Sequence, residues 1–178
     1  NVSLDLVLPF QNSAVTSIAI HPTDPNTIYF SSQDMIYRSV NGGTTWNLLH
    51  TINSSTGEDI LAENPDVWIW LGDNVYDDGE NMEIRRAKYD MQNANPEYHK
   101  LKANTTILGT WDDHDYGAND AGRHYSKRAE SQKEFLRFFD VPADDIRWTR
   151  PGIYASNEFV HEDIRIKVIL LDTRYFRD

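Results

Sequence analysis

The chain has 178 residues and sets 28 Asp and Glu against 17 Lys and Arg, a formal net charge of -11. That balance excludes a nucleic-acid-binding surface, which needs clustered Lys and Arg, and it suits a cation as partner. With no cysteine there is neither a disulfide nor a thiolate site, while 39% hydrophobic residues and five tryptophans suffice for a buried core.

No apolar run approaches the roughly 18 residues that cross a bilayer, and no signal peptide is legible. A chain opening on Asn1 rather than Met reads as processed or as a fragment. Residues 1–52 are expected to be β-rich, with strands over Val15–Ile20, Thr27–Phe30 and Met35–Val40. Pro22, Pro25, Asn26 and the pair Gly42-Gly43 punctuate them as turns. Residues 53–59, Asn-Ser-Ser-Thr-Gly-Glu-Asp, read as a linker. Ile60–Pro65 then reads as a helical turn ended by proline, and Val67–Leu71 as a buried strand stopping at Gly72.

Glu80–Met91 is expected to be a helix whose apolar stripe, Ile84, Ala87 and Met91, falls at i, i+3 and i+7. Pro96–Leu101 starts a further short helix, and Thr106-Ile107-Leu108 is strand-like. Ser126–Phe139 carries the strongest helical pattern, with Ala129, Gln132, Phe135, Leu136 and Phe139 on one stripe. Ile153–Phe159 and Ile164–Leu171 alternate as two strands of a hairpin. Strands alternating with helices make this portion α/β.

Two acidic segments carry the chemistry: Trp70-Leu71-Gly72-Asp73-Asn74-Val75-Tyr76-Asp77-Asp78 and Gly109-Thr110-Trp111-Asp112-Asp113-His114-Asp115-Tyr116-Gly117. Each follows a strand-like run, so carboxylates, a tyrosine and a histidine stand at strand ends, where open α/β sheets place their sites. Oxygen-rich clusters with one imidazole suit Mn, Fe, Ca or Zn. A phosphoester hydrolase needs such ions to activate water near neutral pH and to neutralise phosphoryl charge. Asp73 at a strand end is placed to bridge two ions, and Tyr76, three residues on, returns to the same side. A phenolate there favours Fe(III). Asp113 is a candidate ligand and His114 a candidate proton donor to a leaving group. Asp112 is open between a salt bridge and an extra Ca; Asp77, Asp78, Asn119 and Asp120 read as turn-forming or supporting groups.

Two resemblances follow from these strings. Ser39–Trp46, Ser-Val-Asn-Gly-Gly-Thr-Thr-Trp, resembles the Asp-box of sialidase-like and sortilin-type β-propeller repeats, with Asn41 where Asp is more usual. One repeat cannot close a propeller. Residues 58–178 resemble the PhoD-like alkaline phosphatases and phosphodiesterases within the calcineurin-like metallophosphoesterases. Leu71–Tyr76, Thr110–Gly122 and Ile169–Tyr175 carry that likeness. It implies metal ligation by Asp73, Tyr76 and Asp113, a catalytic role for His114 facing phosphate, and Arg174 near a substrate oxygen, with Asp172 close by. It implies Fe with Ca, or else Mn or Zn, a small phosphate ester as substrate, and a secreted, cell-surface or periplasmic location.

The chain departs from that family in lacking its early Gly-Ser-Cys segment and in stopping at Asp178, before later histidine motifs. The expectation is therefore an α/β chain with a partial metallophosphoesterase-type sandwich, a mixed sheet with flanking helices, preceded by a propeller-blade-like segment. Its parts would be 1–52, the linker 53–59, and 60–178 as the N-terminal portion of the phosphatase domain. The function expected is metal-dependent hydrolysis of phosphate esters, with little or no activity from these 178 residues alone. The alternative from another class is a non-catalytic extracellular interaction module with a degenerate phosphatase remnant.

Overall fold

The computed structural model describes residues 15, 17–21, 23–32, 35–51, 58–77, 79–162 and 164–178. In chain order the elements are β1 (Ser17–Ile20), β2 (Ile28–Ser32), β3 (Met35–Ser39), β4 (Asn47–Thr51), α1 (Glu58–Ala62), β5 (Val67–Trp70), α2 (Met82–Asn93) and α3 (Pro96–Asn104). They continue with β6 (Thr106–Gly109), α4 (Asp113–Tyr116), α5 (Arg128–Phe138), a 3-10 turn (Ile146–Trp148), β7 (Ala155–His161) and β8 (Ile164–Leu170). The fold is mixed α/β, with a six-stranded mixed sheet in the order β4-β3-β2-β1-β5-β6 and a separate β7-β8 hairpin. Residues 53–57 of the expected linker, together with Asp78 and Asp163, lie outside the described residues; Glu58 and Asp59 begin α1.

The chain divides into two compact units: one runs to Trp70 and takes in Pro96–Leu108, the other comprises Leu71–Asn95 and Gly109–Asp178. In the first unit β1 pairs antiparallel with both β2 and β5, so the N-terminal strands and the Val67–Trp70 strand share one sheet. Its strands are short and apolar, and Ile28, Phe30, Val67, Trp68 and Ile69 are buried. The turn between β3 and β4 takes the form that its glycines dictate, with φ of 66° at Gly42 and 86° at Gly43. Asn41 Oδ1 accepts from Thr45 N at 2.9 Å, and Trp46 meets Phe30 edge-on with ring centroids 4.6 Å apart. The β4 strand that follows Trp46 was not expected from the sequence.

The second unit is built around Trp111, Tyr116, Phe135, Leu136, Ile153 and Tyr175, all 8% exposed or less. Two of these, Trp111 and Tyr116, come from the second acidic segment and two from α5, so the core holds that segment in place. Gln132 of α5, buried, donates through Nε2 to the Arg147 and Arg150 carbonyls and accepts from Gly152 N at 2.9 Å. It thereby caps the chain returning towards β7.

The expected apolar stripe of α2 is corrected. Ile84 and Met91 are 49% and 74% exposed, and Arg85 and Tyr89 face inward instead. Tyr89 stacks on Phe138 of α5 with centroids 4.6 Å apart, and Arg86 grips the Glu134 carboxylate with two hydrogen bonds of 2.9 and 2.8 Å. Arg85 turns inward to donate to buried backbone carbonyls, which leaves Ile84, Ala87 and Met91 on the outer face. Ala129 of α5, expected on the inward stripe, is also exposed, while Phe138 is buried.

Candidate metal centre

Gly72 makes the approach of the two acidic segments possible. Its φ is +123°, and a Cβ there would stand 2.7 Å from Asp112 Cβ and 2.9 Å from Asp112 N. Asp73 follows in the left-handed region with φ +50°, an unfavourable conformation for a residue other than glycine. The segments are then tied directly. Asp77 N donates to the His114 carbonyl at 3.2 Å, and Asn74 Nδ2 donates to the Thr110 carbonyl at 2.9 Å and to Asp115 Oδ2.

Asp115, fully buried, anchors this junction, accepting from Asn74 N at 3.3 Å and from Asp112 N at 2.7 Å. Burial pushes its carboxyl up to about 8, against the pull of those backbone donors. Trp111 seats the segment: its ring meets Tyr116 and Phe135 edge-on, and its Nε1 donates to Asp172 Oδ1 at 2.9 Å.

Of the residues singled out from the sequence, Asp73, Asp113 and His114 come together. One ligand atom from each lies within 4.8 Å of the others. Tyr76 joins them: its hydroxyl donates to Asp73 Oδ2 at 3.3 Å, and its ring lies 4.6 Å from that of His114. Arg174 stands beside them, its Nε 2.5 Å from Asp112 Oδ1 and its Nη2 3.6 Å from Asp113 Oδ1. Asp112 thus forms a salt bridge. Asp172 is occupied otherwise. Besides Trp111 Nε1, it accepts from Arg174 N, Tyr175 N and Ile153 N, and so holds a turn rather than the Arg174 guanidinium.

The electrostatics are those of crowded carboxylates. Burial and then the charge of Asp112 raise the Asp73 carboxyl above its ordinary value, with His114 pulling the other way. For Asp113, burial acts upward, but the Asp120 N–H at 2.7 Å and the Arg174 charge outweigh it and hold the group low. Burial and then Asp73 push the Tyr76 phenol upward, so it stands as a neutral donor to Asp73. Among the described residues, the buried atoms Asp73 Oδ1 and Asn74 Oδ1 receive no hydrogen bond.

These residues fit a hard cation. Opposite oxygen ligands of Ca stand about 4.6–5.2 Å apart, so a separation of up to 4.8 Å suits such an ion. The donors are oxygens and one imidazole, and an orphaned buried carboxylate oxygen is the atom that a cation would satisfy.

Arg85 and Asp115 are structural members of the site that the sequence did not disclose. Their partners are mostly backbone groups or side chains distant in sequence, which leave no mark on a hydropathy pattern. Of the histidines outside the site, His99, His124 and His161 are exposed and His21 is half-buried. No protein-family model, no curated protein and no solved structure matches the chain.

Proposed function

We propose that the second unit carries part of the metal site of a phosphoester hydrolase of the PhoD-like kind. The carrying observation is the convergence of Asp73, Asp113 and His114 ligand atoms within 4.8 Å, with Asp73 Oδ1 left without a donor. A bound cation supplies water activation near neutral pH and charge neutralisation at a phosphoryl group. In this reading Asp73 presents its free oxygen to that cation, Asp113 offers a second carboxylate, and Tyr76 turns its hydroxyl oxygen towards the same point. His114, half-buried and held against the Tyr76 ring, gives a proton to the leaving oxygen. Arg174 orients the substrate: an incoming phosphate oxygen exchanges with Asp112 for its guanidinium.

Fe with Ca, or Mn or Zn, is the proposed metal set, and a small phosphate ester the proposed substrate. A secreted, cell-surface or periplasmic setting belongs to the same proposal. Among the described residues no helix is long and apolar enough to cross a membrane.

The test is the visible spectrum of the protein reconstituted with Fe(III), alongside turnover of p-nitrophenyl phosphate and its bis ester with Fe, Ca or Mn. A tyrosinate-to-Fe(III) charge-transfer band that vanishes in Tyr76→Phe is expected. Where turnover is measurable, His114→Ala compared with wild type at saturating metal should slow it by about 10²–10⁴. Neither metal uptake nor hydrolysis under any of these conditions would leave the non-catalytic interaction module as the better account.

A further inference from the structure

We propose that Arg85 is the positioning residue of the acidic centre, setting the Asp73–Tyr76 segment against the Asp113–His114 segment through one buried guanidinium. Arg85 is 0% exposed. A buried guanidinium is costly to desolvate unless nearly all its donors are engaged. Here they are spread over two segments. Nη2 donates to the Asp77 carbonyl at 2.8 Å and the Gly79 carbonyl at 2.9 Å, just beyond Tyr76 in the chain, and more weakly to the Gly117 carbonyl at 3.4 Å. Nη1 donates to the Tyr116 carbonyl at 2.8 Å, two residues beyond His114, and to the Ser131 hydroxyl of α5. Nε lies 3.3 Å from Asp77 Oδ2 in an ion pair but makes no hydrogen bond among the described residues, so Nη1 and Nη2 carry the hydrogen bonding.

The carbonyls of both segments therefore point at one planar group, whose fixed fork sets their spacing. A lysine offers three donors from a single point and cannot reproduce that span. Unsatisfied, the same carbonyls would repel one another and turn outward, moving the residues that precede them. Outer partners of this kind characteristically tune a metal site without touching the ion. The proposed role in ion binding rests on the metal-site reading above; the holding of the two segments does not.

Arg85→Met and Arg85→Lys decide the matter through two readouts. The first is amide hydrogen exchange of the metal-free protein, resolved to residues 71–79 and 109–117. The second is the Mn(II) dissociation constant, measured by electron paramagnetic resonance. In Arg85→Met both segments should exchange about tenfold faster, with α5 and the β7-β8 hairpin within twofold of wild type. Mn(II) should bind about tenfold to a hundredfold more weakly. Arg85→Lys should fall between the two proteins.

Exchange of both segments within twofold of wild type in Arg85→Met would overturn the proposal. So would faster exchange spread evenly over the unit, faster exchange without weaker Mn(II) binding, full restoration by lysine, or failure of both variants to fold. A wild-type protein that binds no Mn(II) would defeat the metal-site reading. The exchange measurement would still decide whether Arg85 holds the segments.

Discussion

At Gly72 and Asp73 two successive residues take positive φ, and the second of them is the residue whose Oδ1 lacks a donor. Glycine bears this conformation freely, whereas at Asp73 such strain costs about 1–3 kcal/mol and persists where surrounding contacts enforce it. Here the enforcing contact is the Asp112 backbone against Gly72. Gly72→Ala should lower stability by about 2–4 kcal/mol, combining the positive φ with a Cβ clash against atoms that cannot swing aside. Chemical denaturation of the variant measures this directly, and a loss below about 0.5 kcal/mol would show that the segments can part freely.

Tyr89 makes the opposite case. Its ring packs on Phe138, but its buried hydroxyl has no hydrogen-bond partner among the described residues. Tyr89→Phe keeps the packing and removes an unpaired polar group, so it should stabilise the protein by about 1 kcal/mol. A fall in the unfolding midpoint would mean that the hydroxyl is satisfied in solution.

Between elements, α2 and α5 are clamped through Glu134, which takes two hydrogen bonds from Arg86 and one from Arg137. Burial acts upward on its carboxyl, but the Arg86 and then Arg137 contacts outweigh it and hold it below the ordinary 4.5. A carboxyl lowered by folding contributes stability above its unfolded value and loses it as pH falls through the folded one. The penalty of Glu134→Gln should therefore be full at pH 7 and shrink as pH drops below 4.5, which unfolding curves across that range test. An equal penalty at pH 3 would contradict the clamp.

The same pair of helices shows what a sequence can disclose. Asp73 and Tyr76, or Asp113 and His114, are near neighbours in the chain, and a turn after a strand brings them together by local geometry alone. The α2 stripe misled because Ile84, Ala87 and Met91 fit helical spacing, whereas Arg85 turns inward for carbonyls up to 32 residues away. Arg174 is similar. Asp172 beside it is taken by Trp111, Ile153 and backbone donors, so its guanidinium reaches 62 residues back to Asp112. Segments β7 and β8, by contrast, pair from Ala155↔Leu170 to His161↔Ile164, as their alternation and the short turn require.

For the molecule as a whole, a formal charge of -11 makes cations natural partners, yet most surface carboxylates bind none. What distinguishes the second unit is that Asp73, Asp112, Asp113 and Asp115 share one junction, with the Arg174 guanidinium beside Asp112 and Asp113. A cation bound there must stabilise the folded protein, by about 2.7 kcal/mol at a hundred times its dissociation constant. That gain should appear in the wild type and be lost in Asp73→Asn.

The most direct measurement is a Mn(II) titration followed by electron paramagnetic resonance, run on wild type and Asp73→Asn side by side. The expected result is a saturable site in the wild type that weakens at least a hundredfold in the variant. No saturable Mn(II) binding in the wild type, or equal binding by both proteins, would contradict the proposed metal centre.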